Sequence, residues 1–318
     1  MSFRIFIDGE AGTTGLQIKE RLAGRRDLTL LSIDPARRKD PGARTALLNE
    51  ADVVVLCLPD DAARAAVAMI ENPAVRVIDA STAHRVDAGW VYGFPELEAA
   101  HAARIAKAPR VANPGCYPTG AIALLRPLVS AGLLPPDFPV TLNAVSGYSG
   151  GGRALIERYE NPAAAEPLDL PFWVYGLTLT HKHVPEIQHY AGLTQRPLFV
   201  PSVGRFAQGM IVQLPLQLWA LPGRPRVGDL QATLAAAYAG QRFVSVAPLA
   251  TSAALERLAP ETENGTNHLQ LHCFGHDDHG QAVLCAVLDN LGKGAAGAAV
   301  QNLNLMLGVP EDTGLAAP

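Results

Sequence analysis

A lone cysteine, Cys116, stands in VANPGCYPTG, the stretch from Val111 to Gly120. Gly115 and the Pro-Thr-Gly run that follows Tyr117 make a sharp bend that opens into an apolar, helix-like segment. A helix N-terminus lowers a thiol's pKa, and the thiolate is the nucleophile. Pro118 suits a first helical turn, so the stretch can present an activated thiol. A thiol acting on a carbonyl needs a proton partner. THKHVPEIQHY offers His181 and His183 two residues apart. Either could be an acid/base, and the pair could also hold a metal, but no third ligand follows at metal-like spacing, so no metal is expected. In SGYSGGGR, Ser146 to Arg153, three glycines between serines and an arginine suggest a nest of N–H and hydroxyl donors for phosphate or carboxylate.

A fourth stretch, DGEAGTTGLQI, puts Gly9, Gly12 and Gly15 between a strand and a helix. This GxxGxxG spacing varies the usual dinucleotide fingerprint, in which glycines let the backbone approach a pyrophosphate at a helix N-terminus. Asp34 falls where an acidic residue would bind a ribose hydroxyl. Arg37, Arg38 and Lys39 follow at once, and such cations suit a 2′-phosphate. The expected cofactor is therefore NADP. A thiol and a nicotinamide together point to aldehyde-level chemistry: thiolate attack on an acyl phosphate, loss of phosphate, and reduction of the thioester.

These residues need a scaffold. FRIFID, LTLLSID (Leu28 to Asp34), DVVVLCLP (Asp52 to Pro59) and VRVIDAS (Val75 to Ser81) read as strands, with helices after the first and third. Continuous apolar runs fit strands covered on both faces, so the first part is expected to be α/β, a Rossmann-type doubly wound parallel sheet. Beyond Gly120 extended segments dominate, and HLQLHCFG and QAVLCAVLDN flank a turn as in a hairpin. That half is expected to be an α+β substrate domain with a mainly antiparallel sheet, its first helix being AIALLRPLVSAGLL. The domain reading is 1–116 and 294–318 for the nucleotide domain and 117–293 for the substrate domain.

The chain has 318 residues, 48% hydrophobic and 18% charged, with a formal charge of -4. That balance offers no general attraction to nucleic acid or anionic membrane. No signal-peptide pattern and no long apolar run is present, so a cytoplasmic protein is expected. Cys57, Cys273 and Cys285 lie in apolar strands and read as core fillers. The broad antiparallel sheet suggests a homodimer or homotetramer.

The chain resembles the short-form N-acetyl-gamma-glutamyl-phosphate reductases, within the semialdehyde dehydrogenase group. GEAGTTGLQI, DASTAHR, YGFPEL, NPGCYPTG, AVSGYSGGGR, HKHVPEI, ENGTNHLQ and LDNLGKGAAGAAVQNLNLM carry the resemblance, nearly end to end. It implies NADPH-dependent reduction of N-acetyl-gamma-glutamyl phosphate to N-acetylglutamate 5-semialdehyde and phosphate, in arginine biosynthesis. It further implies Cys116 as acyl carrier, with His183, or less readily His181, as acid/base. Ser146, Gly147, Ser149, Gly150 and Arg153 would line the substrate and phosphate site. Gly9, Gly12, Thr13, Thr14 and Gly15 would hold the cofactor pyrophosphate, with Ser81, Pro114 and Asn290 as further cofactor neighbours. His84, in STAHR, departs from the family pattern. Two other readings stay open: a reductase of another acyl phosphate, aspartyl or aminoadipyl, and a non-catalytic nucleotide-binding regulator.

Overall fold

The computed structural model describes residues 2–37 and 40–316, and it divides into two compact units. One holds the chain up to Pro95, then Ala99–Gly115 and Ala295–Leu315; the other holds Glu96–Glu98 and Cys116–Gly294.

In the first unit β1 (Phe3–Asp8), β2 (Leu28–Leu31), β3 (Val53–Leu56), β4 (Arg76–Asp79), β5 (Val91–Tyr92) and β6 (Arg110–Ala112) form one parallel sheet, in the order β2-β1-β3-β4-β6-β5. The helices are α1 (Thr13–Leu22), α2 (Pro41–Glu50), α3 (Asp60–Ala68), α4 (His101–Lys107) and, from the far end of the chain, α10 (Gly297–Leu307). Alternation along the strands explains their unbroken hydrophobicity. Ile5, Ile7, Val53 and Val55 pack with Ile18, Leu22, Val300 and Leu303, while Phe6, Val54 and Leu56 face Leu48, Ala63 and Ala66. Both faces are covered, so neither parity of residue can be polar. Each such Val, Leu, Ile or Phe side chain contributes about 1.5–3 kcal/mol by leaving water.

The strands are shorter than their apolar runs. LTLLSID is strand only over Leu28–Leu31, because Asp34 turns the chain: its Oδ1 accepts from the Ala36 amide at 2.9 Å and its carbonyl from Arg37 at 2.7 Å. The helix α2, with Asp40 capping Ala43, lacks a strong apolar stripe and was not foreseen.

The second unit has a seven-stranded sheet in the order β11-β12-β13-β10-β7-β9-β8. Its strands are β7 (Thr141–Gly147), β8 (Phe172–Val174), β9 (Leu198–Gly204), β10 (Met210–Gln217), β11 (Val244–Val246), β12 (Leu269–His276) and β13 (Gln281–Leu288). Pairing is antiparallel except at β7/β9 and β11/β12, and β12/β13 is the expected hairpin. Its helices are α5 (Cys116–Ser130), α6 (Gly152–Glu160), α7 (Val184–Ala191), α8 (Val227–Ala237) and α9 (Leu249–Ala253).

Helix α5 begins five residues earlier than AIALL suggests, on Cys116 itself, and runs through Pro127. A Cβ on Gly120 would lie 3.0 Å from Val212 Cγ2 and 3.2 Å from Ala286 Cβ, so the bare glycine lets α5 settle onto β10 and β13. Among the described residues, no helix is long and apolar enough to cross a membrane.

Candidate active site

Cys116 is the first residue of α5 and is part-exposed, whereas Cys273 and Cys285 are buried. Burial raises the Cys57, Cys273 and Cys285 thiols to about 12 each, with Asp79 and Asp8 adding to the shift at Cys57, so all three are held as thiols near neutral pH. Cys116 instead lines a cavity of about 290 Å³. Ser146, Gly147, Gly150, His181 and His183 line it too.

Strand β7 delivers the serine loop. Ser146 is 2% exposed, and its Oγ donates to the Gly147 carbonyl at 3.1 Å. A Cβ at Gly150 would stand 3.0 Å from that Oγ, so the glycine leaves the hydroxyl uncovered. The nest expected from SGYSGGGR is narrower than the sequence suggests. The Gly147, Tyr148 and Ser149 amides already donate to the carbonyls of Gly209, Phe206 and Ala207, at 2.9, 2.9 and 3.0 Å. The segment 206–209 runs beside them and takes up their hydrogen bonds, so of the loop residues on the cavity wall Gly147 has its amide already engaged, while Gly150 and Gly151 also line it. Arg153, on the first turn of α6, is exposed and does not line the cavity. Asn290 is 2% exposed; its Oδ1 accepts from the Gly209 amide at 2.7 Å, and its Nδ2 donates to Ser149 Oγ at 2.9 Å. It therefore braces the serine loop from behind.

The histidines enter just before α7, with Pro185 at the start of that helix. Their ring centroids are 4.8 Å apart. The His183 amide donates to His181 Nδ1 at 3.1 Å, which leaves the His181 proton on Nε2. Burial, reinforced by the Lys182 charge, lowers His181 to about 4, so its ring is neutral at physiological pH. His183 is 7% exposed, more enclosed than its neighbour.

Residues beyond the sequence reading complete the wall: Tyr117, Tyr175, Trp173, Leu155, Lys182 and Val203. Tyr175 Oη donates to Tyr117 Oη at 3.3 Å, and Tyr117 Oη donates to the Ser202 carbonyl at 3.1 Å. Burial above all, with a contribution from charge on Cys116, pushes Tyr117 well above the ordinary phenol value and Tyr175 to about 12. Both stay protonated and can donate. Tyr117 and Lys182 sit inside motifs already singled out, so adjacency was their only signal. Trp173 and Tyr175 come from a stretch with no motif, FWVYG, brought in by pairing of β8 with β9.

The glycine loop lies in the first unit. Gly9 has φ +95°, and a Cβ there would meet the Cys57 carbonyl oxygen at 2.3 Å. A Cβ on Gly15 would meet the Gly9 carbonyl oxygen at 2.4 Å. Packing therefore dictates both. Gly12, the N-cap of α1, differs: a Cβ there would be 3.4 Å from the Gly9 carbonyl oxygen, an ordinary contact. The exposed bare position at the head of α1, beside Thr13 and Thr14, fits a pyrophosphate lying against the first-turn amides. Arg37 pairs with Asp40 at 3.1 Å and is 60% exposed, while Arg38 and Lys39 fall outside the described residues. Ser81 is 7% exposed, and its hydroxyl donates to Asp79 Oδ2 at 2.7 Å. His84 Nδ1 shares that oxygen at 2.7 Å and stacks on Trp90, 4.3 Å between centroids, so the departure at His84 is a buried clamp on the end of β4. Pro114 is buried just after β6. Among the described residues no cluster has the makings of a metal site.

Comparison with known proteins gives the same frame. The family model described as semialdehyde dehydrogenase, NAD binding domain, matches residues 9–105, and that described as semialdehyde dehydrogenase, dimerisation domain, matches residues 116–290. N-acetyl-gamma-glutamyl-phosphate reductase 2 of Pseudomonas putida is 60% identical over 304 residues, covering 96% of both chains. The protein of that name from Nostoc sp. is 52% identical over 318 residues, covering 98% of this chain and 99% of its own. The crystal structure of aspartate semialdehyde dehydrogenase II from Vibrio cholerae, complexed with ASA, superposes with a TM-score of 0.68 at 15% identity, covering 96% of this chain and 98% of the other. The Francisella tularensis aspartate semialdehyde dehydrogenase gives 0.71 at 14% identity, covering 96% and 100%. At that identity the two structures speak for the fold. The chain belongs to the N-acetyl-gamma-glutamyl-phosphate reductase family of nicotinamide-dependent semialdehyde dehydrogenases.

Proposed function

We propose that this oxidoreductase reduces N-acetyl-gamma-glutamyl phosphate to N-acetylglutamate 5-semialdehyde and phosphate with NADPH, through a thioester on Cys116, in the arginine-biosynthetic sense and in the cytoplasm. The carrying observation is the part-exposed Cys116 sulfur at the N-terminus of α5, opening into a cavity lined by Ser146, the Gly150–Gly151 backbone and two histidines.

The Cys116 thiolate attacks the acyl carbon, a C–S bond forms, and the C–O bond to phosphate breaks. Phosphate leaves with the bonding electron pair. The Ser146 hydroxyl and the loop amides meet the anionic oxygens, and the Lys182 ammonium balances substrate charge. The nicotinamide, when bound, supplies the hydride that brings the thioester to the aldehyde level. His181, neutral with its proton on Nε2, suits a hydrogen-bond donor to the acyl oxygen. His183 then carries the proton that neutralises the thiohemiacetal oxygen and recovers it as the thiolate departs. Leu155, Trp173 and Val203 give the acetamido group an apolar wall.

Gly12, Thr13 and Thr14 hold the pyrophosphate, and Arg37 favours NADP over NAD. The match of residues 116–290 to a dimerisation domain supports a homo-oligomer.

The deciding experiment is a substrate panel on wild type and Cys116→Ser. Wild type should oxidise N-acetylglutamate semialdehyde in the presence of phosphate with NADP, far faster than aspartate semialdehyde. Cys116→Ser should lose turnover while still binding NADPH. Undiminished turnover in the variant overturns the thioester, and preference for aspartate semialdehyde overturns the substrate.

A further inference from the structure

The backbone of Gly294 is the surface on which Cys116 is seated. A Cβ at Gly294 would lie 2.8 Å from Cys116 Cβ, closer than real side chains come, and 3.3 Å from its Cα, a tight approach. Gly294 belongs to a π-helical turn, Gly292–Ala296, a wide and uncommon geometry that must be held from outside.

Two sets of contacts hold it. Asp289, fully buried, accepts from the Leu291 amide at 2.8 Å, the Gly265 amide at 2.9 Å and Gln208 Nε2 at 2.5 Å; its carbonyl accepts from the Gly294 amide at 2.9 Å. The second set is ionic. Lys293 turns its ammonium inward, 2.7 and 2.9 Å from the two carboxylate oxygens of Glu96, with each side chain 1% exposed. The ammonium also lies 5.6 Å from the Phe243 ring centroid. A buried ion pair seldom stabilises a fold more than well-packed apolar residues of similar size would. Its two short contacts tie the turn to the Glu96 segment.

We propose that Lys293 and Glu96 are positioning residues for Cys116: their pair fixes the π turn, so that Gly294 sets where the sulfur stands at the head of α5. The proposal rests on Cys116 being the reactive thiol.

The test compares Lys293→Met/Glu96→Gln, which removes both charges, with Gly294→Ala, which keeps both and crowds Cys116. The readouts are thermal midpoint, the pH profile of Cys116 alkylation by iodoacetamide followed on its own peptide by mass, and the split between kcat and KM. In the folded double variant the alkylation rate or its pH midpoint should move, and kcat should fall about tenfold or more with KM little changed, as for a misplaced reacting group. Gly294→Ala should do the same. A folded double variant with wild-type alkylation and kcat overturns the proposal. Should the double variant not fold, wild-type alkylation and kcat in Gly294→Ala overturn it instead. Alkylation reports the seat of the sulfur whether or not it carries the acyl group. Retained turnover in Cys116→Ser would therefore sink the thioester reading separately.

Discussion

The phenol of Tyr238 donates to the carbonyl of Ala123 at 2.9 Å. Ala123 lies four residues before Pro127, and proline has no N–H to give the carbonyl its helical partner. Tyr238 supplies the missing donor from α8's C-terminus. Burial and the Glu96 charge raise its pKa, so it remains a donor. The helix that carries Cys116 thus keeps its course through an internal proline.

Tyr238→Phe should leave that buried carbonyl unpartnered and lower unfolding free energy by about 1–3 kcal/mol in urea titration. Adding Pro127→Ala to Tyr238→Phe should recover part of the loss, since the helix regains its own donor. If the second change brings no recovery, the carbonyl is not the cause.

The glycine loop should separate binding from folding. Gly12→Ala meets no obstruction, so its thermal midpoint should stay near wild type while the NADPH dissociation constant rises, on the order of tenfold, as one or two hydrogen bonds are lost. Gly15→Ala drives a Cβ into the Gly9 backbone and should destabilise by roughly 2 kcal/mol or more. Calorimetry and cofactor titration on both variants check this; equal loss of stability in the two would be the contrary result.

The two histidines should part company with pH. His181 titrates near 4 when folded against 6.5 when free, so the unfolded chain binds its proton first. The contribution is fully present above pH 6.5 and is lost as pH falls from there through 4. His181→Gln should flatten the stability curve in that window. In the activity profile, His181→Gln should lower kcat and leave the acid limb where it was, and His183→Gln should displace or abolish a limb. Stopped-flow rates from pH 5 to 9 decide it; a limb that moves with His181 exchanges the two roles.

Arg37→Ala should narrow the preference for NADPH over NADH about tenfold, the worth of one charge-assisted contact, with little effect on NADH turnover. Asp40 would lose an exposed partner but keep its cap on α2 through Ala43. Unchanged discrimination would move the 2′-phosphate contact elsewhere.

What the chain discloses by pattern is the part governed by periodicity and local chemistry. VVVLCLP reads as a strand buried on both faces, and Val53–Leu56 is one; PGCYPTG reads as a bend before a helix, and the stretch from Cys116 to Gly120 is the start of that helix. The serine loop misled because donors count only after neighbours have taken their share: segment 206–209 claims three amides that SGYSGGGR appeared to offer. Arg153 and Asn290 lie in the right motifs, but their faces are set by α6 and by the end of β13, which local spacing does not encode. Trp173, Tyr175 and the Lys293–Glu96 pair are long-range acquaintances, made by sheet order and by a turn 197 residues from its partner.

The first unit is sealed by α10, whose Val300, Leu303 and Met306 share a core with Ile5, Ile18 and Val53. On the ribosome, β1 and β3 are made long before α10, so the part of their sheet face that α10 covers stays open until that helix emerges. The second unit takes almost all of its residues from before α10. A nascent chain stalled short of α10 would expose an apolar sheet face, a natural target for chaperones holding the growing polypeptide.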